Sequence, residues 1–259
     1  MRFTAACNCA TPRLLHCTTA MIKAVIFDLD GTLRANQPEG FEAFVEYAGR
    51  VGIQLTERQI KICEREAHRY WASAQADVDL ARYDKRSFWV NYNQILLNAM
   101  NVRNCEDCAQ RIQDFFEHYE PQDVVFADTR PVLTQLKQAG YILGLVSNRE
   151  EPLQPIVAQY GFEAFFDFTL SAGEAGCYKP DPRIFYRALE LAGGLDPEEA
   201  IYIGDNFFAD VVGPLNIGMD AILVDPRDVF ERYYTRRVKR LREVLALIPT
   251  REWAEPLGA

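Results

Sequence analysis

Four short apolar runs constrain this chain more than any other feature: AVIF at 24–27, YILGLVS at 141–147, AIYIGD at 200–205 and AILVD at 221–225. They are strand-like in length and continuously apolar, the pattern of strands covered on both faces. Amphipathic helical stretches separate them, such as RPVLTQLKQAG at 130–140, whose Gly140 suits a helix stop. Strands alternating with helices predict an α/β fold with a doubly wound parallel sheet. In open parallel sheets ligands bind beyond the carboxyl ends of the strands. The polar residues there, beginning with Asp28 after the first run, are therefore functional candidates.

Between Leu33 and about Gln122 the pattern changes. No strand-like run occurs, and helical periodicity persists through four stretches, FEAFVEYAGRVG, TERQIKICEREAHRYWASAQ, KRSFWVNYNQILLNAM and CEDCAQRIQDFFEHYE. Thr56 followed by Gln59 resembles a capping box. Four helices inserted after the first strand predict a separate helical module, hinged at 33–40 and 121–123. The tail FERYYTRRVKRLREVLALIP at 230–249 reads as one more helix. Val238, Leu241 and Leu245 would face the core, with a cationic outer face that is either solvated or partner-binding.

With 259 residues, 49% of them apolar, the chain can bury a substantial core. A net charge of −9 disfavours bulk attraction to nucleic acid or an anionic membrane. Seven cysteines, an odd number in a long chain, argue against a secreted disulfide framework. No apolar run approaches the ~18 residues of a membrane span. These features predict a soluble cytoplasmic protein, monomer or homodimer. Residues 1–20 fit poorly with the rest and are expected to be disordered or to precede the working start. Their Cys7-x-Cys9 near His16 offers few ligands for a metal.

Four polar clusters stand at the predicted strand ends or in an adjacent loop: Asp28-Leu-Asp30-Gly31-Thr32, Ser147-Asn148, Lys179-Pro-Asp-Pro, and Gly204-Asp205-Asn-Phe-Phe-Ala-Asp210. Singly, each has an ordinary explanation in turn or cap chemistry. The first is the most demanding, because residues two apart on an extended chain face the same side. Two unit charges about 4 Å apart at an effective dielectric near 20 repel by roughly 4 kcal/mol.

Together, in this order and in these strand contexts, the clusters resemble the haloacid dehalogenase superfamily, from Met21 to roughly Phe230. The resemblance implies a Rossmann-like core, 21–35 and 122–259, with an inserted α-helical cap of the C1 type at 36–121. It implies that Asp28 is the nucleophile forming an aspartyl-phosphate, and that Asp30 is general acid and then general base. Mg²⁺ would be held by Asp28, the main-chain carbonyl of Asp30 and Asp205, with Asp210 orienting metal waters or Lys179. Ser147, Asn148 and Lys179 would meet the phosphoryl charge, Lys179 also steadying Asp28, while Gly31 and Thr32 hold the loop. For Asp30 to donate near neutrality, its pKa would have to be raised.

An acid at position 30 favours a phosphatase or phosphomutase over carbon–halogen cleavage. The reading is a Mg²⁺-dependent hydrolase of a small soluble phosphate ester. A sugar phosphomutase is the alternative, and a non-catalytic binding protein a remote one. Arg34 departs from the small or acidic residue expected after DGTL and either faces the leaving group or is exposed. Trp71, Tyr83, Arg86, Trp89 and Tyr92 are pocket candidates, although aromatics at helical spacing more often form core. Cys105-x-x-Cys108 with His118 supplies too few ligands to read as zinc, and His68 reads as an ordinary helix-surface or satisfied residue.

Overall fold

The computed structural model of the chain describes residues 21–102 and 106–249. The expectations for residues 1–20, including Cys7, Cys9 and His16, and for Cys105 lie outside them.

The chain opens with β1 (Ala24–Phe27) and β2 (Arg34–Gln37). Five helices follow: α1 (Gly40–Arg50), α2 (Glu57–Trp71), α3 (Ala74–Arg82), α4 (Lys85–Ala99) and α5 (Glu106–Phe116). Next come β3 (Gln122–Val125), α6 (Thr129–Gln138), β4 (Ile142–Ser147), α7 (Gln154–Tyr160), β5 (Phe168–Ser171), α8 (Ala172–Ala175) and α9 (Pro182–Leu191). The last strands are β6 (Ala200–Gly204), β7 (Asp220–Val224) and β8 (Arg237–Val238), with a π-helical turn, Phe207–Val212, after β6.

Six strands form one sheet in the order β5-β4-β1-β6-β7-β8, every pair parallel. Side chains of β1 alternate between two apolar layers. Val25 and Phe27 pack with Leu133, Leu136 and Phe162 on one face, and Ala24 and Ile26 with Ile184, Phe185 and Leu189 on the other. Both faces are thus covered, which is why these strands read as continuous apolar runs. Phe27 pairs with Leu145 on one side and Ile203 on the other, so β1, β4 and β6 end nearly level. That register places Asp28, Ser147 and Asp205 along one edge, where the chain order reverses around β1.

The helical insertion has its own core, built from Phe44, Ala48, Cys63, Leu96, Leu97, Met100 and Ile112. It departs from the sequence reading in two ways. The segment contains strands: β2 and β3 pair antiparallel from Arg34↔Val125 to Gln37↔Gln122, so both crossings into the insertion run through a two-stranded ribbon. Its residues, RANQ and QDVV, are largely polar and low in strand preference, and the pairing is reinforced by Arg34 Nε donating to Asp123 at 2.7 Å. Among the described residues the insertion also has five helices, not four. Ser73, in extended backbone, donates its hydroxyl to the Tyr70 carbonyl at 2.8 Å and separates α3 from α2. The Thr56–Gln59 capping box is present, with Thr56 N–H donating to Gln59 at 3.1 Å and Gln59 N–H returning to Thr56 at 3.3 Å.

The tail is not the single helix its pattern suggested. Tyr234 caps β7 by donating to the Ala221 carbonyl at 2.8 Å, and residues 237–238 form the edge strand β8. A 3₁₀ turn, Leu241–Ala246, follows. The edge of β7 offered unpaired backbone groups, and Asp225 N–H donates to the Val238 carbonyl at 2.7 Å, which outweighs helical periodicity. Val238 and Leu241 are buried and Leu245 half-buried against the core, as the stripe required. Of its cations, Arg236 pairs with Asp220, Arg237 and Lys239 with Asp228, and Arg240 with Glu243.

Among the described residues, no helix is long and apolar enough to cross a membrane. Cys63 and Cys177 are buried free thiols, whereas Cys108 is disulfide-bonded. That bond removes the Cys108 thiolate as a zinc ligand, and His118 is exposed.

Candidate active site

Asp28 leaves β1 with its N–H donating to the Ile203 carbonyl at 2.8 Å, which continues the β1–β6 ladder by one rung. Its carboxylate is buried against the ammonium of Lys179, at 2.6 Å. Lys179 donates also to Asp210 at 2.7 Å and to the Tyr202 hydroxyl at 3.0 Å, and Tyr202 donates onward to the Val146 carbonyl at 2.8 Å. Two loops are tied together behind this amine. Asn148 accepts from Lys179 N–H at 2.7 Å and donates to the Lys179 carbonyl at 3.0 Å.

Asp28, Asp205 and Asp210 bring carboxylate oxygens within 4.8 Å of one another. Three carboxylates against one ammonium leave an excess of negative charge at a largely buried site. Burial, with Asp210 and Asp30 adding to it against the pull of Lys179, pushes the Asp28 carboxyl up to about 7. Burial and then the neighbouring Asp28 and Asp210 push Asp205 well up as well. Burial alone would lower Lys179, but Asp210 and Asp28 hold its ammonium well above its ordinary range. An all-oxygen, over-charged donor set of this kind fits a hard divalent cation, which would replace protons as the neutralising charge.

The site opens into a cleft of ≈ 1580 Å³ between the strand ends and the helical insertion. Asp28, Ser147, Lys179 and Asp205 form its floor, with Trp71 and Trp89 among its insertion-side walls. The insertion is held over the strand ends by three kinds of contact. Asn206 donates to the His68 carbonyl at 3.1 Å, Arg65 to the Val229 carbonyl at 3.0 Å, and Arg227 to Glu64 at 2.6 Å and Glu39 at 2.8 Å.

The model of the haloacid dehalogenase-like hydrolase family matches residues 22–218. The chain belongs to the haloacid dehalogenase-like hydrolases. It is 28% identical over 211 residues to the human haloacid dehalogenase-like hydrolase domain-containing protein 3, covering 78% of this chain and 82% of that one. It is 39% identical over 213 residues to a glyceraldehyde 3-phosphate phosphatase of Methanothermobacter thermautotrophicus, covering 79% and 86%. The solved HAD phosphatase of Thermococcus onnurineus has the same fold, at a TM-score of 0.52 and 22% identity over 88% of this chain and 99% of that one.

In this haloacid dehalogenase-like hydrolase, Gly31 and Thr32 shape the loop behind the site and do not line the cleft. Gly31 has φ +84, and a Cβ there would land on the carboxylate of Asp205. Its N–H is taken by the Arg34 carbonyl at 2.8 Å, and the buried Thr32 hydroxyl donates to Asp205 at 3.3 Å.

Asp30 departs from the sequence reading, which required a raised pKa. Burial pushes the carboxyl up, but Arg149 and Arg34 together outweigh it and hold Asp30 below its ordinary range. Arg149 donates through Nε to one Asp30 oxygen at 2.6 Å and through Nη2 to the other at 2.8 Å, and Arg34 Nη1 bonds the same carboxylate. Arg34 is therefore neither exposed nor free. It is 7% exposed and shared between Asp30, Asp123 and Asn36.

Of the pocket candidates, Trp71, Arg86, Trp89 and Tyr92 line the cleft. Tyr83 instead packs beside the Tyr70–Phe88 cluster. The core alternative holds in part, since Trp89 and Tyr92 join that same cluster. His68 corrects the reading of a satisfied residue. It lines the cleft with its ring edge-on to Phe230, and its Nδ1 is buried with no partner among the described residues. Sequence reasoning also missed Arg149 and Tyr202. A charged residue directly after a Ser-Asn strand end, and a phenol inside a buried aliphatic strand, both demand partners and were readable on that ground.

Proposed function

We propose that the chain is a Mg²⁺-dependent phosphomonoester hydrolase working through an aspartyl-phosphate on Asp28. The juxtaposition of Asp28 with Lys179 and two further carboxylates at the end of the central strand carries this reading. Mg²⁺, held by Asp28, Asp205 and the Asp30 carbonyl, would neutralise the phosphoryl oxygens when bound. The protein's own residues supply the remainder. Asp28 attacks phosphorus, a bond forms to its carboxylate oxygen, and the ester oxygen departs with a proton that Asp30 takes up from solvent once Arg149 releases its carboxylate. Asp30 then takes a proton from water, whose oxygen attacks phosphorus and releases Asp28 and inorganic phosphate. Lys179 and Ser147 meet the charge on the transferring group, and Asp210 and Tyr202 aim Lys179.

Residues 36–121 serve as a cap over the core 21–35 and 122–259, so that the cleft they roof admits a small soluble phosphate ester and sheds bulk water. The phosphatase relative supports that substrate class. The test is Asp28→Asn, nearly isosteric, assayed on a panel of phosphate esters with Mg²⁺. Turnover should disappear while the circular dichroism spectrum and thermal midpoint are retained. Turnover at the wild-type rate would remove the mechanism.

A further inference from the structure

Arg149 stands where the chemistry needs it to move. Its guanidinium occupies both oxygens of Asp30, at 2.6 and 2.8 Å, the carboxylate that must face the ester oxygen. Arg34 holds the same carboxylate but is fixed, its side chain 8% exposed and pinned by Asp123 and Asn36. Arg149 is 39% exposed in its side chain, opens onto the cleft, and has no side-chain partner except Asp30 among the described residues. The other cations of the cleft are committed or remote. Lys179 is buried between Asp28 and Asp210, Arg86 pairs with Asp114 and Glu117, Arg183 pairs with Asp181, and Lys85 is exposed without contacting Asp30.

We propose that Arg149 reads a carboxylate on the leaving group, so that the preferred substrates are phosphomonoesters with a carboxylate one or two carbons from the ester oxygen. The inference rests on the phosphatase reading and deepens it. A guanidinium fork fits a two-oxygen planar anion, and the fork of Arg149 already grips one in that geometry. A substrate carboxylate arriving beside Asp30 takes over the fork, exchanging one charge-assisted pair for another. The Asp30 oxygen held by Arg149 Nε is then free to take up a proton and face the ester oxygen, while Arg34 keeps its hold on the other. A neutral leaving group must break the Arg149–Asp30 pair with nothing in return.

The experiment compares phosphoglycolate with ethyl phosphate, which match in length and differ in the carboxylate, using p-nitrophenyl phosphate as reference, all with Mg²⁺. Hydrogen bonds to charged groups predict a kcat/KM preference for phosphoglycolate of roughly tenfold or more. In Arg149→Leu that ratio should fall to about one, mainly through a higher KM for phosphoglycolate, and Arg149→Lys should restore it only in part. Calorimetry on Asp28→Asn should show the same preference in binding, without turnover. A wild-type ratio at or below one, or a ratio unchanged in Arg149→Leu and Arg149→Lys, overturns the inference. If p-nitrophenyl phosphate is cleaved and the two esters are cleaved alike, the phosphatase reading stands and this inference alone fails. If no ester is cleaved, both fail together.

Discussion

Arg149 reaches Asp30 across 119 residues of sequence and binds both of its carboxylate oxygens, at 2.6 and 2.8 Å. Both residues line the cleft, and the pair joins the loop after β1, two positions beyond Asp28, to the end of β4. It makes Asp30 a held group, whose release is part of any cycle that uses it.

Asp30→Asn keeps the size of the side chain and removes its proton chemistry. General acid–base groups contribute about 10²–10⁴-fold, so kcat/KM for an alkyl phosphate should fall within that range. The loss should be distinctly smaller for p-nitrophenyl phosphate, whose leaving group needs no proton. Equal losses on the two esters would assign Asp30 a purely structural part.

Lys179→Met leaves Asp28 and Asp210 buried without their shared cation. Removing one partner of a buried ion pair costs about 3–5 kcal/mol, and the thermal midpoint should fall accordingly, together with activity. Added divalent cation should recover part of the midpoint, because it neutralises the same carboxylates. A midpoint within a degree or so of wild type would show that the two acids are not charged in the folded chain.

The lesson of sequence against structure lies in particular elements. The β1, β4, β6 and β7 runs were legible because strands covered on both faces are apolar throughout, and Asp28 and Asp205 follow from where those runs stop. The β2–β3 ribbon was not legible. Its residues are polar, and its stability comes from a partner 85 or more positions away, including the Arg34–Asp123 pair. The tail failed for a related reason: the period that suggested a helix is real, but the open edge of β7 claims residues 237–238. Asp30 was read from its own position alone, whereas its charge state is set by two arginines, one of them beyond the insertion.

Gly31→Ala forces a Cβ into the Asp205 carboxylate at a φ of +84. Left-handed backbone at a non-glycine residue costs about 1–2 kcal/mol by itself, and displacement of Asp205 adds to it. Activity should drop far more than stability, because the carboxylate that moves belongs to the candidate metal cluster. A fully active Gly31→Ala protein would separate Asp205 from the chemistry.

His68 supplies a pH signature of its own. Burial first, and the charge of Arg227 second, push it from 6.5 down to about 4. Between those values the unfolded chain binds a proton that the folded chain refuses, so stability is full above about pH 6.5 and declines as the pH falls toward 4. Urea midpoints at pH 4.5 and 7 should therefore differ more in the wild type than in His68→Leu. Identical pH slopes would place the acid sensitivity elsewhere.

The central claim, that Asp28 carries the phosphoryl group, is tested most directly by trapping it. Wild-type enzyme mixed with substrate and Mg²⁺, quenched within milliseconds and reduced with borohydride, should yield a peptide in which residue 28 has been converted to homoserine. Asp28→Asn should yield none. Release of phosphate at full rate with residue 28 unmodified at every quench time would contradict the account.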